Sequence, residues 1–232
     1  HFWEEPCISG KEGSGTVFFS GCVLRCVYCQ NTNIAESRAG RVISGERLSE
    51  IFLELQGKKA NNINLVTPTH FVPQIALALE RAKAQGLHIP VVYNTGSYER
   101  TETLKRMEGL VDIYLPDMKY MSSRLGERYS HAPDYFDTAA RAIEEMVRQT
   151  GNPVFDESSG LMKKGVIVRH LVLPGCTADS KKVLSYLYHT YGDRIYISIM
   201  NQYTPVCDLS AFPELKRRIT AREYERIVDY AL

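Results

Sequence analysis

The feature that most constrains the fold is an alternation of short β-rich runs with helical patterns, sustained along nearly the whole chain. Apolar runs rich in β-branched and aromatic residues occur at 16–19, 63–67, 90–94, 111–115, 166–173 and 195–200. Each ends in a breaker or polar stop: Ser20-Gly21, Pro68, Gly96, Pro116-Asp117, Pro174-Gly175 and Asn201-Gln202. Between them, apolar residues recur every three or four positions, as in Leu48-Ile51-Phe52-Leu55, Ile75-Leu79-Ala82 and Ala139-Ala142-Ile143-Met146-Val147. A shorter helix is expected over 99–107. Gly86 is expected to end the second helix, and Asp179-Ser180 to cap one beginning near Val183. Thr220 and Glu223, three apart, make a capping box for the last. Strand after strand, each followed by a helix, gives one parallel sheet with right-handed crossovers. Six units fall short of the eight of a closed barrel. The expected class is therefore α/β: an incomplete (β/α)6 TIM-like barrel with parallel strands.

Residues 1–15 carry Pro6, Gly10, Gly13 and Gly15 and are expected to form an irregular lead-in, leaving 16–232 as a single partial-barrel domain. Gly10-Lys11 lacks the spacing of a phosphate-binding loop. A length of 232 residues, 44% hydrophobic and 24% charged, can bury a substantial core. A formal net charge of +1 gives no electrostatic case for nucleic-acid or membrane binding. No window approaches the ~20 apolar residues of a spanning helix, and no secretory signal pattern is present. The first residue is His1, so the numbered chain is expected to be a fragment or a processed form. Cytoplasmic location is expected from the cysteine usage, which suits metal chemistry in a reducing compartment better than a disulfide framework.

Three of the six cysteines fall within eight residues, as Cys22-x3-Cys26-x2-Cys29. Three thiolates on one loop suit three corners of a cubic iron–sulfur cluster, with one iron left open. A structural zinc site wants four protein ligands, and the nearest later cysteines, Cys176 and Cys207, lie more than a hundred residues away. The loop follows the first strand, so it opens on the mouth where all the strands end. Other polar residues just past strand ends share that mouth: Thr67, Thr69, Asn94, Thr95, Asp117, Lys119, Asn201 and Gln202. Cys7, Cys176 and Cys207 read as small apolar fillers, and His70 and His170 as exposed or core imidazoles. A non-enzymatic iron–sulfur or zinc protein stays open on this reading.

Cys-x3-Cys-x-aromatic-Cys after the first strand of a parallel α/β chain resembles the hallmark of radical S-adenosylmethionine enzymes. Within them the chain looks most like the pyruvate formate-lyase activating enzyme group, in an uncharacterised branch suggested by Trp3-Glu4-Glu5-Pro6-Cys7-Ile8-Ser9-Gly10, Gly13-Ser14-Gly15-Thr16 and Gln202-Tyr203-Thr204-Pro205. The resemblance implies an oxidoreductase with a 4Fe-4S cluster held by Cys22, Cys26 and Cys29. It would cleave S-adenosylmethionine reductively to a 5′-deoxyadenosyl radical, which takes a hydrogen atom from a glycine of a partner glycyl radical enzyme. A small molecule or a peptide is the alternative substrate. A low-potential electron donor such as flavodoxin or ferredoxin is implied too. Carried over residue by residue, Tyr28 lies against the adenine. Thr67 and Thr69 stand where the family places an acid for the methionyl amine. Asp117 bonds the amine or ribose, and Lys119 offsets the methionyl carboxylate. Arg169 seeks a carboxylate inside the barrel, and Asn201 takes the ribose position.

Overall fold

Six parallel strands form the frame, and the register of their pairing decides which side chains face the interior. In the computed structural model, which describes His1 and residues 5–232, the chain runs in order through sixteen helices and strands. Of the stretch that suggests the branch, Trp3 and Glu4 lie outside the described residues. The elements are α1 (Pro6–Ser9), β1 (Gly15–Phe18), α2 (Thr32–Ala35), α3 (Gly45–Gly57), β2 (Ile63–Val66), α4 (Val72–Ala84), β3 (Val91–Thr95) and α5 (Thr101–Lys105). There follow β4 (Ile113–Pro116), α6 (Ser123–Ser130), α7 (Tyr135–Thr150), β5 (Val154–Phe155), β6 (Met162–Leu171), α8 (Thr177–Tyr191), β7 (Tyr196–Met200) and α9 (Ala221–Ala231).

The parallel order is β1-β2-β3-β4-β6-β7, with the two-residue β5 antiparallel on β6. Among the described residues no pairing joins β1 to β7, so the sheet stays open: the expected incomplete barrel, plus one short hairpin strand. Among the described residues, no helix is long and apolar enough to cross a membrane.

Alternation along the strands sorts residues between two cores. Leu65, Tyr93, Tyr114 and Val168 face outward and are buried against helix residues such as Phe52, Leu79, Ile143 and Leu187. Val92, Ile113, Leu115 and Ile167 face inward and pack with Ile8 and Met162 into an apolar floor. Ile8 belongs to α1, so the lead-in is not wholly irregular. Pro6 suits a first helical turn, and the left-handed Gly10 (φ +52°) ends it. Asn61 and Asn62 then donate to the carbonyls of Ser9 and Ile8 at 2.5 and 2.9 Å, seating this turn as a plug under the barrel.

Beyond α1 and the four-residue α2, neither of which was anticipated, two longer helices differ from expectation. The helix expected near Val183 begins at Thr177, placing Asp179 inside its first turn. The Asp179 carboxylate accepts from the backbone N–H groups of Met121 and Ser122 at 3.1 and 3.0 Å, pinning the loop after β4 instead of capping. The second is α6, which was not anticipated; the Ser122 side chain caps it, and Gly126, Tyr129 and Ser130 are its buried face. The Thr220–Glu223 capping box is present, and Gly86 follows α4 with φ +101°.

Candidate active site

The interior changes character near the carboxyl ends of the strands. Asp117 and Arg169 face each other across β4 and β6, one step beyond the apolar layer of Leu115 and Ile167. The Arg169 guanidinium donates to Asp117 Oδ1 at 2.8–3.0 Å and to Asn94 Oδ1 at 2.7 Å. Lys119 Nζ takes the other Asp117 oxygen at 2.6 Å. The three side chains are only 15–17% exposed. Burial alone would raise the Asp117 carboxyl, but Arg169 and Lys119 outweigh it and hold it below the usual carboxylate range. Burial opposes the charge on Lys119 as well, yet Asp117 and the nearby Cys26 raise it well above the usual lysine value. The triad carries a surplus of one positive charge in a poorly hydrated place.

That surplus sits beside the cysteine loop. Cys22, Cys26 and Cys29, all half-buried, line one cavity of about 390 Å3 with Tyr28, Thr67, Asn94, Thr95, Asp117, Lys119 and Arg169. Burial pushes the Cys26 and Cys29 thiols up, while Lys119 pulls both down. Among the described residues, no three Cys, His, Asp or Glu side chains gather around a single metal-ion position. The donor set fits an iron–sulfur cluster: three soft thiols, a cation acting on two of them, and a carboxylate already taken by Arg169 and Lys119. Gly96 makes room at this wall, because a Cβ there would meet Leu24 Cδ1 at 3.0 Å and Lys119 Cε at 3.5 Å.

Most of the residues expected at the mouth converge here, and two do not. Tyr28 lines the cavity, its ring edge-on to Tyr129 and Tyr203 and its hydroxyl bonded to Tyr120. Thr67 lines it too, in a left-handed conformation (φ +57°) that is costly for a β-branched residue. Thr69 turns away and donates to Glu99 Oε1 at 2.7 Å. Asn201 is exposed in an adjoining polar pocket with Arg169, Ser198 and Gln202. His170 is buried behind the sheet, its Nδ1 2.7 Å from the Met118 carbonyl.

Glu99 was not anticipated. It is 3% exposed, and Thr69, Thr95 and Tyr93 all donate to its Oε1 at 2.7, 2.6 and 3.2 Å. Burial raises its carboxyl, with the three hydroxyls opposing. An acid thus does stand behind the ends of β2 and β3, but it arrives from the loop after β3, and no local pattern announces it.

Comparison with known proteins accords with this geometry. The profile of the Radical SAM superfamily matches residues 16–184. An uncharacterized protein of Methanocaldococcus jannaschii is 29% identical over 94% of this chain, which spans 62% of that relative's length. The pyruvate formate-lyase-activating enzyme of Clostridium pasteurianum is 25% identical over 87% of this chain and 86% of its own. In fold, the crystal structure of methylornithine synthase superposes with a TM-score of 0.61 at 13% identity, over 94% of this chain and 61% of that one.

Proposed function

The chain belongs to the Radical SAM superfamily, and from that premise we propose that it abstracts a hydrogen atom from a glycine of a partner protein, in the manner of an activating enzyme for a glycyl radical enzyme. The cofactors of the family are a 4Fe-4S cluster and S-adenosylmethionine. Bound together, they supply one-electron cleavage to a 5′-deoxyadenosyl radical able to take a hydrogen atom from carbon. The single observation that carries the reading is the cavity shared by Cys22, Cys26 and Cys29 with the Asp117–Lys119–Arg169 triad.

Each side chain has a task in that proposal. The three cysteines would hold the cluster through three of its irons, with the fourth left for the methionyl group. Lys119 would offset the methionyl carboxylate, and Asp117 would accept from the amine or ribose while Arg169, itself held by the Asn94 side-chain oxygen, fixes its angle. Thr67 offers a hydroxyl to the amine. Tyr28 presents its ring to the adenine, and Asn201 reaches the ribose from the adjoining pocket. Leu24, Leu171 and Met200 exclude water from the same cavity.

A protein substrate is favoured by the relative from Clostridium pasteurianum, whose name is that of an enzyme that activates another enzyme. The gap between β1 and β7 would admit an extended segment to the cavity, and a low-potential donor such as flavodoxin or ferredoxin would supply the electron. The test is anaerobic reconstitution with iron and sulfide, followed by electron paramagnetic resonance with and without S-adenosylmethionine. A changed spectrum, 5′-deoxyadenosine after reduction, and a radical doublet on an added glycyl radical enzyme are expected. An unchanged spectrum without 5′-deoxyadenosine sinks the radical chemistry. 5′-Deoxyadenosine without any protein radical, alongside a modified peptide or small molecule, sinks the glycine target alone.

A further inference from the structure

A chain of three buried hydroxyls ends on one sulfur of the cysteine loop. Ser130 Oγ lies 3.0 Å from Cys26 Sγ, and Tyr120 OH lies 3.1 Å from Ser130 Oγ. Tyr28 OH is bonded in turn to Tyr120 OH. The members come from three places: the loop after β1, the loop after β4, and the last residue of α6. Ser130 and Tyr120 are each 1% exposed and Tyr28 is 7% exposed. Edge-on packing holds the rings, Tyr120 on Tyr135 at 5.5 Å and Tyr28 on Tyr203 at 6.0 Å.

If Cys26 holds an iron, as in the reading above on which this inference rests, the direction of every bond in the chain is determined. An iron-bound cysteine sulfur has no proton and can only accept. Ser130 must therefore donate to it, which uses the one proton of its hydroxyl. Toward Tyr120, Ser130 can then only accept, so Tyr120 donates to Ser130 and accepts from Tyr28. All three protons point toward the sulfur, and each bond polarises the next. Among the described residues, Ser130 is the side chain that hydrogen-bonds a sulfur of the triad.

We propose that Ser130, backed by Tyr120 and Tyr28, is a built-in donor to the Cys26 thiolate that raises the reduction potential of the bound cluster. The reduced cluster carries one more negative charge than the oxidised one, so a donor on its ligand sulfur stabilises the reduced state more. The relay makes and breaks no covalent bond, and its protons stay on their own oxygens. Its members are positioning residues acting through Cys26. The arrangement matters because a donor protein must be able to reduce the cluster before any cosubstrate is cleaved.

The test is a redox titration of the reconstituted full chain, without S-adenosylmethionine, across wild type, Ser130→Ala, Tyr120→Phe and Tyr98→Phe. Tyr98 donates to Asp134 at the surface, outside the relay, and serves as the control. The potential should move negative in Ser130→Ala and less far in the same direction in Tyr120→Phe, and stay put in Tyr98→Phe. In deuterated buffer, electron–nuclear spectroscopy of the reduced cluster should show an exchangeable coupling that Ser130→Ala removes. Full iron content with an unmoved potential in Ser130→Ala overturns the inference and leaves the cluster assignment standing. If Ser130→Ala fails to take up iron, an unmoved Tyr120→Phe or a wild type without the coupling overturns it equally. A wild type that binds no cluster defeats the underlying reading, and the inference with it.

Discussion

Asp117→Asn offers a direct measure of how the charge triad is held. The substitution keeps the shape of the side chain but removes the one anion that faces both Arg169 and Lys119, at 2.8 and 2.6 Å. Breaking a buried pair by deleting one partner costs about 3–5 kcal/mol, because the other charge is left desolvated. Here two cations lose their shared anion, but Arg169 keeps its bond to Asn94 and each side chain keeps 15–16% exposure to the cavity, which argues for the lower end, about 3 kcal/mol. For a chain of this size that corresponds to a fall in Tm of about 6–12 °C. The assay is thermal and urea unfolding of the cluster-free, reduced protein, with the exposed Arg81–Glu46 pair disrupted as a control that should barely move the midpoint. The folded Asp117 carboxyl is held below its usual range, so its contribution is complete above the unfolded carboxyl pKa of about 3.9. It is lost only as pH falls through the lower folded value. The gap between wild type and variant should therefore be flat from pH 5 to 8 and close under strong acid. A gap under about 1 kcal/mol at pH 7, or one that closes near neutrality, would show that the triad is an ordinary solvated ion pair.

Three other expectations follow from the same geometry. Ile8→Ala empties a fully packed position in the barrel floor and should cost about 3 kcal/mol in urea unfolding; a cost near zero would mean that the α1 plug is not seated. Thr220→Ala removes the cap of α9 and should cost about 1 kcal/mol, with faster amide exchange confined to that helix. Glu99→Gln keeps an acceptor for Thr69, Thr95 and Tyr93 while removing a charge that burial disfavours. A carboxyl raised in the folded state adds stability at low pH that is lost as pH rises through its folded value. The Gln variant should accordingly gain on wild type between pH 4 and 8, whereas Glu99→Ala, which orphans three hydroxyls, should lose about 2 kcal/mol throughout. A Gln variant that gains nothing across that range would show that Glu99 is not buried as described.

What the sequence revealed and what it hid divide along a physical line. The six parallel strands were legible because each is a compact apolar run with a breaker behind it, and the cysteine loop because its spacing is local. The β5 strand was not, since Val154-Phe155 carries too little pattern and owes its existence to pairing with β6. Nor was α6: Ser-Arg-Leu-Gly-Glu-Arg-Tyr-Ser is polar overall and buries only Gly126, Tyr129 and Ser130, so it lacks the recurring apolar residues that mark the longer helices. Within the site, the Asp-x-Lys pair after β4 was visible as a two-residue spacing. Glu99 was hidden because it stands on the loop after β3, whereas the resemblance places an acid after β2. Ser130 lies 104 residues from the sulfur it meets, and only the packing of α6 against the cysteine loop joins them.

The strand register accounts for why a charged mouth can stand on an apolar floor without either disturbing the other. Val92 pairs with Ile113, Asn94 with Leu115, and the Asp117–Arg169 bridge continues the same β4–β6 offset that sets Ile113 opposite Gly165. Along β6, Ile167 and Arg169 face the same way with a single outward residue between them, and β7 answers with Tyr196 and Ser198. A slip of one residue would turn Arg169 toward the helices and Val168 toward the cavity. It would bury a guanidinium without Asp117 or Asn94 and strip the floor of Ile167 in the same step. The penalty for misplacing the charge and the penalty for breaking the floor are thus incurred together. The triad is held in register chiefly by the hydrophobic layer beneath it, with its own ion pairs fixing only the final angles.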